Sequence, residues 1–503
     1  MCGILLIDSA QELSSERIAR AERYLRRRGP NLLRRWQRDR IRIWHSVLHI
    51  TGDADYYHTH HDDFCAFAGE VYNYRELGYN SDAWCVHETV RSRPGHLRQL
   101  KGPSSWVYST DKFVCYATDP QGERHLYRYQ DADTTIVASE VAIIAALIDL
   151  DTRPSHYRNK GWNLLSDTPY RDVERLQSGR LYINHGSAQL IDSIFDWCHP
   201  TAYPSLAVAT EEFSAIWRRV LKDLTPDEPV TVSFSGGVDS SLIAAALPTA
   251  DLLALDMQGK DPNIAKLDQL LSVNRLMQLN RITVTPQYYA GSCLDMIRHT
   301  RMPVQSWSHV GKWLAAKHAG NRVLFSGAGA DELFGGYTAY QTITYGQDSS
   351  TSPYSHDHDS VIWQRCLRAC ADDPGPATLL LDYIYQIVGC DSQGLDRASG
   401  AWSREMRNPF MHPDLVRFAL GLPWSMRVGN GGKPVLKNYW RHCFPHQPLW
   451  DKQGFAGHAN DSQPWLGVDT PDTGNRVRDW QQIAMDLFYQ TVSNLQHSKT
   501  IEQ

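Results

Sequence analysis

The sequence predicts an α/β protein of more than one domain, in which an N-terminal half of packed sheets precedes a C-terminal half built on a parallel sheet and completed by helices. Three observations carry that prediction. With 503 residues, 42% of them hydrophobic, the chain has material for several packed cores. Residues 1–200 read as short β-like runs broken by polar or glycine-bearing turns, whereas strand-like and helix-like segments alternate farther on. Two glycine loops, "SFSGGVDSS" and "FSGAGADELFGGY", each follow one of the later strands.

In chain order, "GILLID", "RIWHSVLHI", "DFCAFAGEVY", "SSWVYST", "KFVCYAT", "TTIVAS" and "RLYINH" are the expected N-terminal strands. One early helix interrupts them: in "SSERIARAERYLRRR" the serines can cap, and Ile18, Ala21 and Leu25 recur at helical spacing. The proline- and small-residue-rich stretch 199–209 marks the domain boundary. A helix follows, with Phe213, Ile216, Trp217, Val220, Leu221 and Leu224 on one face and Thr210 as its N-cap. Next come "VTVSF", a helix from Ser241, "LLALDM", a helix near residues 264–271, "RITV", helices to Lys317, and "RVLFS". Such alternation implies a parallel sheet with helices on both faces, and in such sheets ligands bind at the carboxyl ends of the strands. Beyond Tyr337, helical periodicity recurs near residues 361–370, 376–388, 414–422 and 479–495.

Composition narrows the function classes. A net charge of −5 argues against a protein devoted to binding nucleic acid. No apolar run approaches the roughly 20 residues of a membrane span, and the first residues lack the order of a secretory signal, so a soluble cytoplasmic protein is expected. Ten scattered cysteines predict reduced thiols, with Cys366 and Cys370 on a helix face. The histidine-rich tracts 56–63 and 355–360 read as solvated loops. Residues 25–42 crowd arginines beside Trp36, a composition that can contact RNA; the stretch reads instead as the end of an amphipathic helix and a solvated strand.

The glycine loops carry the chemistry. Backbone N–H groups between a strand and a helix N-terminus form an anion cradle, which the helix dipole reinforces. Ser235, Ser240 and Ser241 add hydroxyl donors. Asp239 cannot bind phosphate directly and points to a divalent cation lying between it and the phosphates, to which Asp331 of the second loop would add another carboxylate. GxxxxGK[ST] is absent, so this is not the phosphate loop of kinases and GTPases.

"SFSGGVDSS" with "FSGAGADELFGGY" resembles the ATP-pyrophosphatase domain of the asparagine synthetase family. "MCGILLID", "RGPN" and "GEVYNYREL" are similar to that family's N-terminal glutaminase domain, while "DRASGAWSREMRNPFMHPDLVRFALGLP" and "DKQGFAGH" are similar to its C-terminal signatures. The resemblance implies a class II glutamine amidotransferase-like αββα sandwich over residues 2–200 and an ATP-pyrophosphatase domain over residues 210–503. It also implies that Ser235, Gly236, Gly237, Asp239, Ser240 and Ser241 hold pyrophosphate, and that Phe234, Leu255, Ser326 and Gly327 frame the nucleoside. Asp239 and Asp331 would coordinate Mg²⁺, and Lys452 would neutralise charge on the α-phosphate. At the other end Cys2 would be the glutaminase nucleophile once Met1 is removed, its own amine serving as base, with Gly69, Glu70 and Asp82 binding glutamine.

The chain departs from that pattern at three positions. Ala68 stands where the family has the asparagine that stabilises the oxyanion, a loss worth about 10²–10³ in rate. Val47 replaces the arginine that grips the glutamine carboxylate, and Ala328 replaces a glutamate used in the second half-reaction. The combination is similar to the divergent eukaryotic asparagine synthetase domain-containing proteins. It implies an ATP-dependent carbon–nitrogen ligase whose small-molecule substrates are ATP, a carboxylate, and glutamine or ammonia, with no membrane or nucleic-acid partner and a homodimer left open. Two other readings stand beside it: a glutaminase-impaired amide- or lactam-forming ligase, and a non-catalytic ATP-binding scaffold.

Overall fold

The computed structural model describes residues 1–50, 57–60, 63–153, 166–186, 188–258, 279–338, 340, 361–429, 431–446, 466–468 and 476–501. The helix expected near residues 264–271, the tract 355–360 and Lys452 lie outside the described residues.

Two six-stranded antiparallel sheets make up the N-terminal half. The first orders the strands Val173–Arg175, Tyr127–Gln130, Thr134–Ala138, Gly3–Ser9, Ile41–Val47 and Leu32–Arg38. The second orders Ala188–Leu190, Arg180–Ile183, Val114–Thr118, Ser104–Ser109, Asp63–Gly69 and Tyr57–His60. Period-two alternation decides what each strand buries. Ile4 and Leu6 face Phe64 and Ala66 between the sheets. Leu5 and Ile7 face the outer helices Ser15–Arg28 and Val141–Leu147, with Ala21, Leu25 and Ile144 in the same core. On the other outer side Cys65 and Phe67 pack against Ala83, Cys85 and Val86 of the helix Asp82–Ser92. Helix, sheet, sheet and helix are thus layered as expected, although the sequence reading identified only the first of the three helices.

The C-terminal half is built on a five-stranded, wholly parallel sheet, ordered Leu279–Thr283, Asp251–Asp256, Val230–Ser233, Val323–Phe325 and Glu405–Arg407. Val230–Ser233 and Val323–Phe325 are hydrogen-bonded neighbours in the register Val232↔Phe325. Because neighbouring parallel strands end on the same edge, the loops that follow them must leave side by side. Helices cover this sheet and continue to residue 501, and among the described residues none is long and apolar enough to cross a membrane.

Four local expectations need correction. The tract 56–63, read as a loop, contributes the edge strand Tyr57–His60 and the first residue of Asp63–Gly69. The helix after the first glycine loop begins at Val238, not Ser241, which brings Asp239 into its first turn. Thr210 is not a cap: it lies inside the helix Leu206–Leu224 and donates to the Leu206 carbonyl at 2.7 Å, while the Ser205 hydroxyl caps by accepting from the Val208 N–H. The segment expected over 376–388 starts at Pro374 and passes into a π-helix, Tyr383–Asp391.

The halves meet across buried ion pairs. Arg28, 1% exposed, reaches Glu140 at 2.6 Å and Asp396 at 3.0 Å, and its Nε donates to the Cys2 carbonyl at 3.0 Å. Arg407 joins Glu70 at 2.9 Å and Glu405 at 2.8 Å. Each of these buried arginines serves two carboxylates, so losing the arginine would leave two buried carboxylates without it.

Candidate functional site: a two-loop nucleotide cradle and a thiol pocket

Ser233 ends its strand, Phe234 is buried, and the Phe234 N–H donates to the Leu253 carbonyl at 2.8 Å. The turn closes on itself through its hydroxyls. The Ser235 N–H donates to Ser240 Oγ at 3.2 Å, and Ser240 Oγ donates to the Gly237 carbonyl at 3.2 Å. Gly237 precedes the helix with no side-chain cap, so the first N–H groups of that helix stay open toward the loop. Ser241 is 5% exposed, and among the described residues its hydroxyl has no hydrogen-bond partner. A buried donor left over in an anion cradle fits a ligand oxygen.

The second loop lies against the first. A Cβ placed on Gly327 would sit 3.1 Å from the Asp239 Cβ, so this close approach leaves little room for a side chain. The Ser326 N–H is held by the Arg407 carbonyl at 3.1 Å, and the Ala328 N–H by the Ser326 hydroxyl at 3.3 Å. Leu255, on the neighbouring strand Asp251–Asp256, is half-buried.

Asp239 and Asp331 converge. The ammonium of Lys433 lies 2.5 Å from a carboxylate oxygen of each, with the lysine side chain 4% exposed. Burial alone would lower the lysine pKa, but the two carboxylates outweigh it and hold the group charged. Gly336 seals the cluster: a Cβ there would lie 2.0 Å from an Asp331 oxygen and 2.3 Å from the Lys433 side chain. Two half-buried carboxylates that already share one cation make a donor set suited to Mg²⁺. The sequence reading missed Lys433. A signal was present in "GGKP": the lysine adopts φ 56°, a left-handed conformation that side chains with a Cβ enter at a cost, directly before the helix Pro434–Cys443.

Glu332, next along, is 4% exposed and accepts from the Tyr337 hydroxyl at 2.6 Å; burial and the nearby Asp331 push its carboxyl up to about 7. Ala328, half-buried, packs against the main core. Across the same region His309 Nε2 lies 3.5 Å from Cys390 Sγ and 3.3 Å from Asp391, whose carboxylate is paired with Lys312 at 2.6 Å.

The second pocket lies between the antiparallel sheets. Cys2, Val47 and Ala68, three positions singled out in the sequence, share one apolar cluster with Ile4, Ile43 and Ala66. Burial pushes the Cys2 thiol up to about 11, opposed by the amino terminus and the Leu48 N–H and assisted by Glu405 and Glu70. The Met1 amine donates to the Arg404 carbonyl at 3.1 Å, and burial lowers it to about 5. Glu70 follows Gly69 at the end of its strand, but its carboxylate is engaged by Arg407. Burial raises the Asp82 carboxyl to about 6. All ten cysteines are free, and only Cys443 is exposed.

The family model described as asparagine synthase matches residues 215–468, just over half of the chain. A Schizosaccharomyces pombe protein described as a glutamine-hydrolysing asparagine synthetase is 24% identical over 522 residues, covering 93% of this chain and 82% of its own. A Mycobacterium bovis protein of the same description is 25% identical over 409 residues, or 68% of this chain. The aligned region spans 61% of that mycobacterial relative's length. Among solved structures, the glutamine phosphoribosylpyrophosphate amidotransferase of B. subtilis, complexed with ADP and GMP, covers 56% of this chain and 81% of its own at 12% identity. Its TM-score of 0.29 is too low to bear on the fold. The family match runs through both glycine loops, Lys433 and the strand that carries Arg407, and the chain belongs to the asparagine synthase family.

Proposed function

We propose that the chain is an ATP-dependent amide-forming ligase of the asparagine synthetase type, which activates a carboxylate, aspartate among the candidates, by adenylation. One observation carries this reading: Asp239 and Asp331 meet on a single ammonium beside a cradle of glycines and hydroxyls. In the first step a carboxylate oxygen attacks the α-phosphorus of ATP. The bond to the β-phosphate oxygen breaks, and its electron pair leaves with pyrophosphate, giving an acyl adenylate. Ser235, Gly236, Gly237, Ser240 and Ser241 hold the departing pyrophosphate, while Phe234, Leu255, Ser326 and Gly327 frame the nucleoside. Asp239 and Asp331 would hold Mg²⁺, which when bound screens phosphate charge. Lys452 is proposed to face the α-phosphate. In the second step a nitrogen lone pair attacks the acyl carbon, AMP leaves with the electrons of the C–O bond, and the nitrogen gives up a proton.

The thiol pocket favours free ammonia over glutamine as the nitrogen source. Val47 and Ala68 supply neither a carboxylate clamp nor an oxyanion amide, Glu70 is paired with Arg407, and the Cys2 thiol is held protonated. Glutamine hydrolysis would further require removal of Met1, so that the amine of Cys2 itself could act as base.

Pyrophosphate release, measured over a pool of carboxylic acids with glutamine, with ammonium or with neither, tests the proposal, and mass spectrometry of the trapped acyl adenylate names the acid. Release stimulated more by ammonium than by glutamine is expected. Release indifferent to both would point to an internal amide or lactam instead. Tight Mg-ATP binding, lost in Asp239→Ala but never followed by turnover, would reduce the chain to a binding scaffold.

A further inference from the structure

A cationic groove lies apart from both pockets. The helix Ser15–Arg28 presents Arg20, Arg23, Tyr24 and Arg27 at the i, i+3, i+4, i+7 spacing that places side chains on one helix face. All four line a cavity of about 120 Å³, and Arg301 closes it from the other half of the molecule. Ala142, Ala145 and Ala146 form its floor, so the wall opposite the arginines is small and apolar. Arg301 has φ 56° and ends the helix Pro286–Thr300 in the left-handed conformation.

These charges are scarcely compensated. Among the described residues the one carboxylate paired with Arg20 is Glu16, 3.8 Å away and with its side chain 82% exposed. Among the described residues no carboxylate forms an ion pair with Arg23, Arg27 or Arg301; Arg27 lies over the Tyr24 ring at 5.1 Å. The acidic groups nearby are engaged elsewhere: Asp149, in the adjoining cleft that shares Arg301 and Ala145, is bound by Arg17 at 2.7 Å, and Glu22 is bound by Arg35 at 2.7 Å. Four guanidiniums around one small groove, two of them exposed, repel one another through water, a repulsion that an anion between them would remove, and guanidinium is the group best matched to phosphate oxygens.

We propose that this groove binds the phosphate group of a small phosphorylated ligand and thereby clamps the two halves of the chain together, Arg23 and Arg27 gripping from one side and Arg301 from the other. The guanidiniums converge on one small groove, which favours a monoester or inorganic phosphate over a nucleic-acid strand. None of its residues belongs to the glycine loops, so the site stands independently of the proposed ligase reaction.

Isothermal titration with inorganic phosphate and with glycerol 3-phosphate, against chloride at matched ionic strength, tests the site. The proteins are wild type, Arg23→Gln, Arg301→Gln and Ser241→Ala, the last to identify phosphate held by the glycine loops. A saturable component that survives Ser241→Ala and weakens about tenfold in each arginine variant is expected. The same component should raise the wild-type unfolding temperature and fail to do so in Arg301→Gln. Equal affinity in wild type and both arginine variants would overturn the proposal. So would binding of a short single-stranded RNA that depends on these arginines while neither phosphate probe binds.

Discussion

The nucleotide cradle and the thiol pocket are both built where strands end in glycine turns, but they are filled in opposite ways. Around the cradle, polar groups converge: two carboxylates on one ammonium, a closed set of serine hydroxyls, and a buried hydroxyl with no partner among the described residues. Around Cys2, apolar groups converge: Val47 and Ala68 lie with the thiol in one aliphatic cluster, and the nearest carboxylate that could serve a ligand is already paired. Inward-facing polar groups are expensive to bury without a use, so the contrast underlies the proposal that the cradle takes a charged ligand and the thiol pocket does not.

The largest effect that would break this contrast is at Asp239. Asp239→Ala should reduce ATP-dependent pyrophosphate release by about 10³-fold, since it removes a cation ligand from the reacting phosphates; unchanged release would refute the cradle. Next, Lys433→Met removes the ammonium that Asp239 and Asp331 share, and should lower stability to urea by about 3 kcal/mol. At low pH, where both carboxylates are protonated, the variant should recover. The thiol pocket makes its own prediction. With the Cys2 thiol pushed up to about 11 from an ordinary 9.0, the thiolate is scarcer by about 100-fold near neutral pH. Alkylation of Cys2 by iodoacetamide, followed by peptide mass spectrometry, should therefore keep rising tenfold per pH unit past pH 9, and a plateau near 9 would mean an ordinary, accessible thiol. The smallest effect is the most discriminating. Cys2→Ser should change ammonium-supported turnover by less than about twofold, since nitrogen delivered directly bypasses the thiol.

Much of this was legible in the sequence because it depends on local rules. Alternation in "GILLID" and "DFCAFAG" tells which face each residue takes, and the strand–glycine–helix pattern places Ser235 to Ser241 at a sheet edge. The substitutions at Val47 and Ala68 were readable as losses, but the aliphatic cluster that joins them to Cys2 was not, because two strands of one sheet must first pair and a strand of the other sheet must pack across them. Lys433 was missed for a related reason. It lies 194 residues from Asp239, and the spacing between them carries no periodic signal. Arg407 also needed the tertiary structure: only there does its guanidinium reach Glu70 in the other half.

That last contact bears on what the N-terminal half contributes to the C-terminal one. Arg28 and Arg407 stitch the halves together through ion pairs hidden from water, and Arg407 also holds Ser326 of the nucleotide cradle through its backbone carbonyl. Deleting residues 1–200 would leave Arg407 with Glu405 alone and strip Asp396 of Arg28, and would open a face now hidden from water. Whatever chemistry the N-terminal half performs, trimming it from the gene would be resisted by folding.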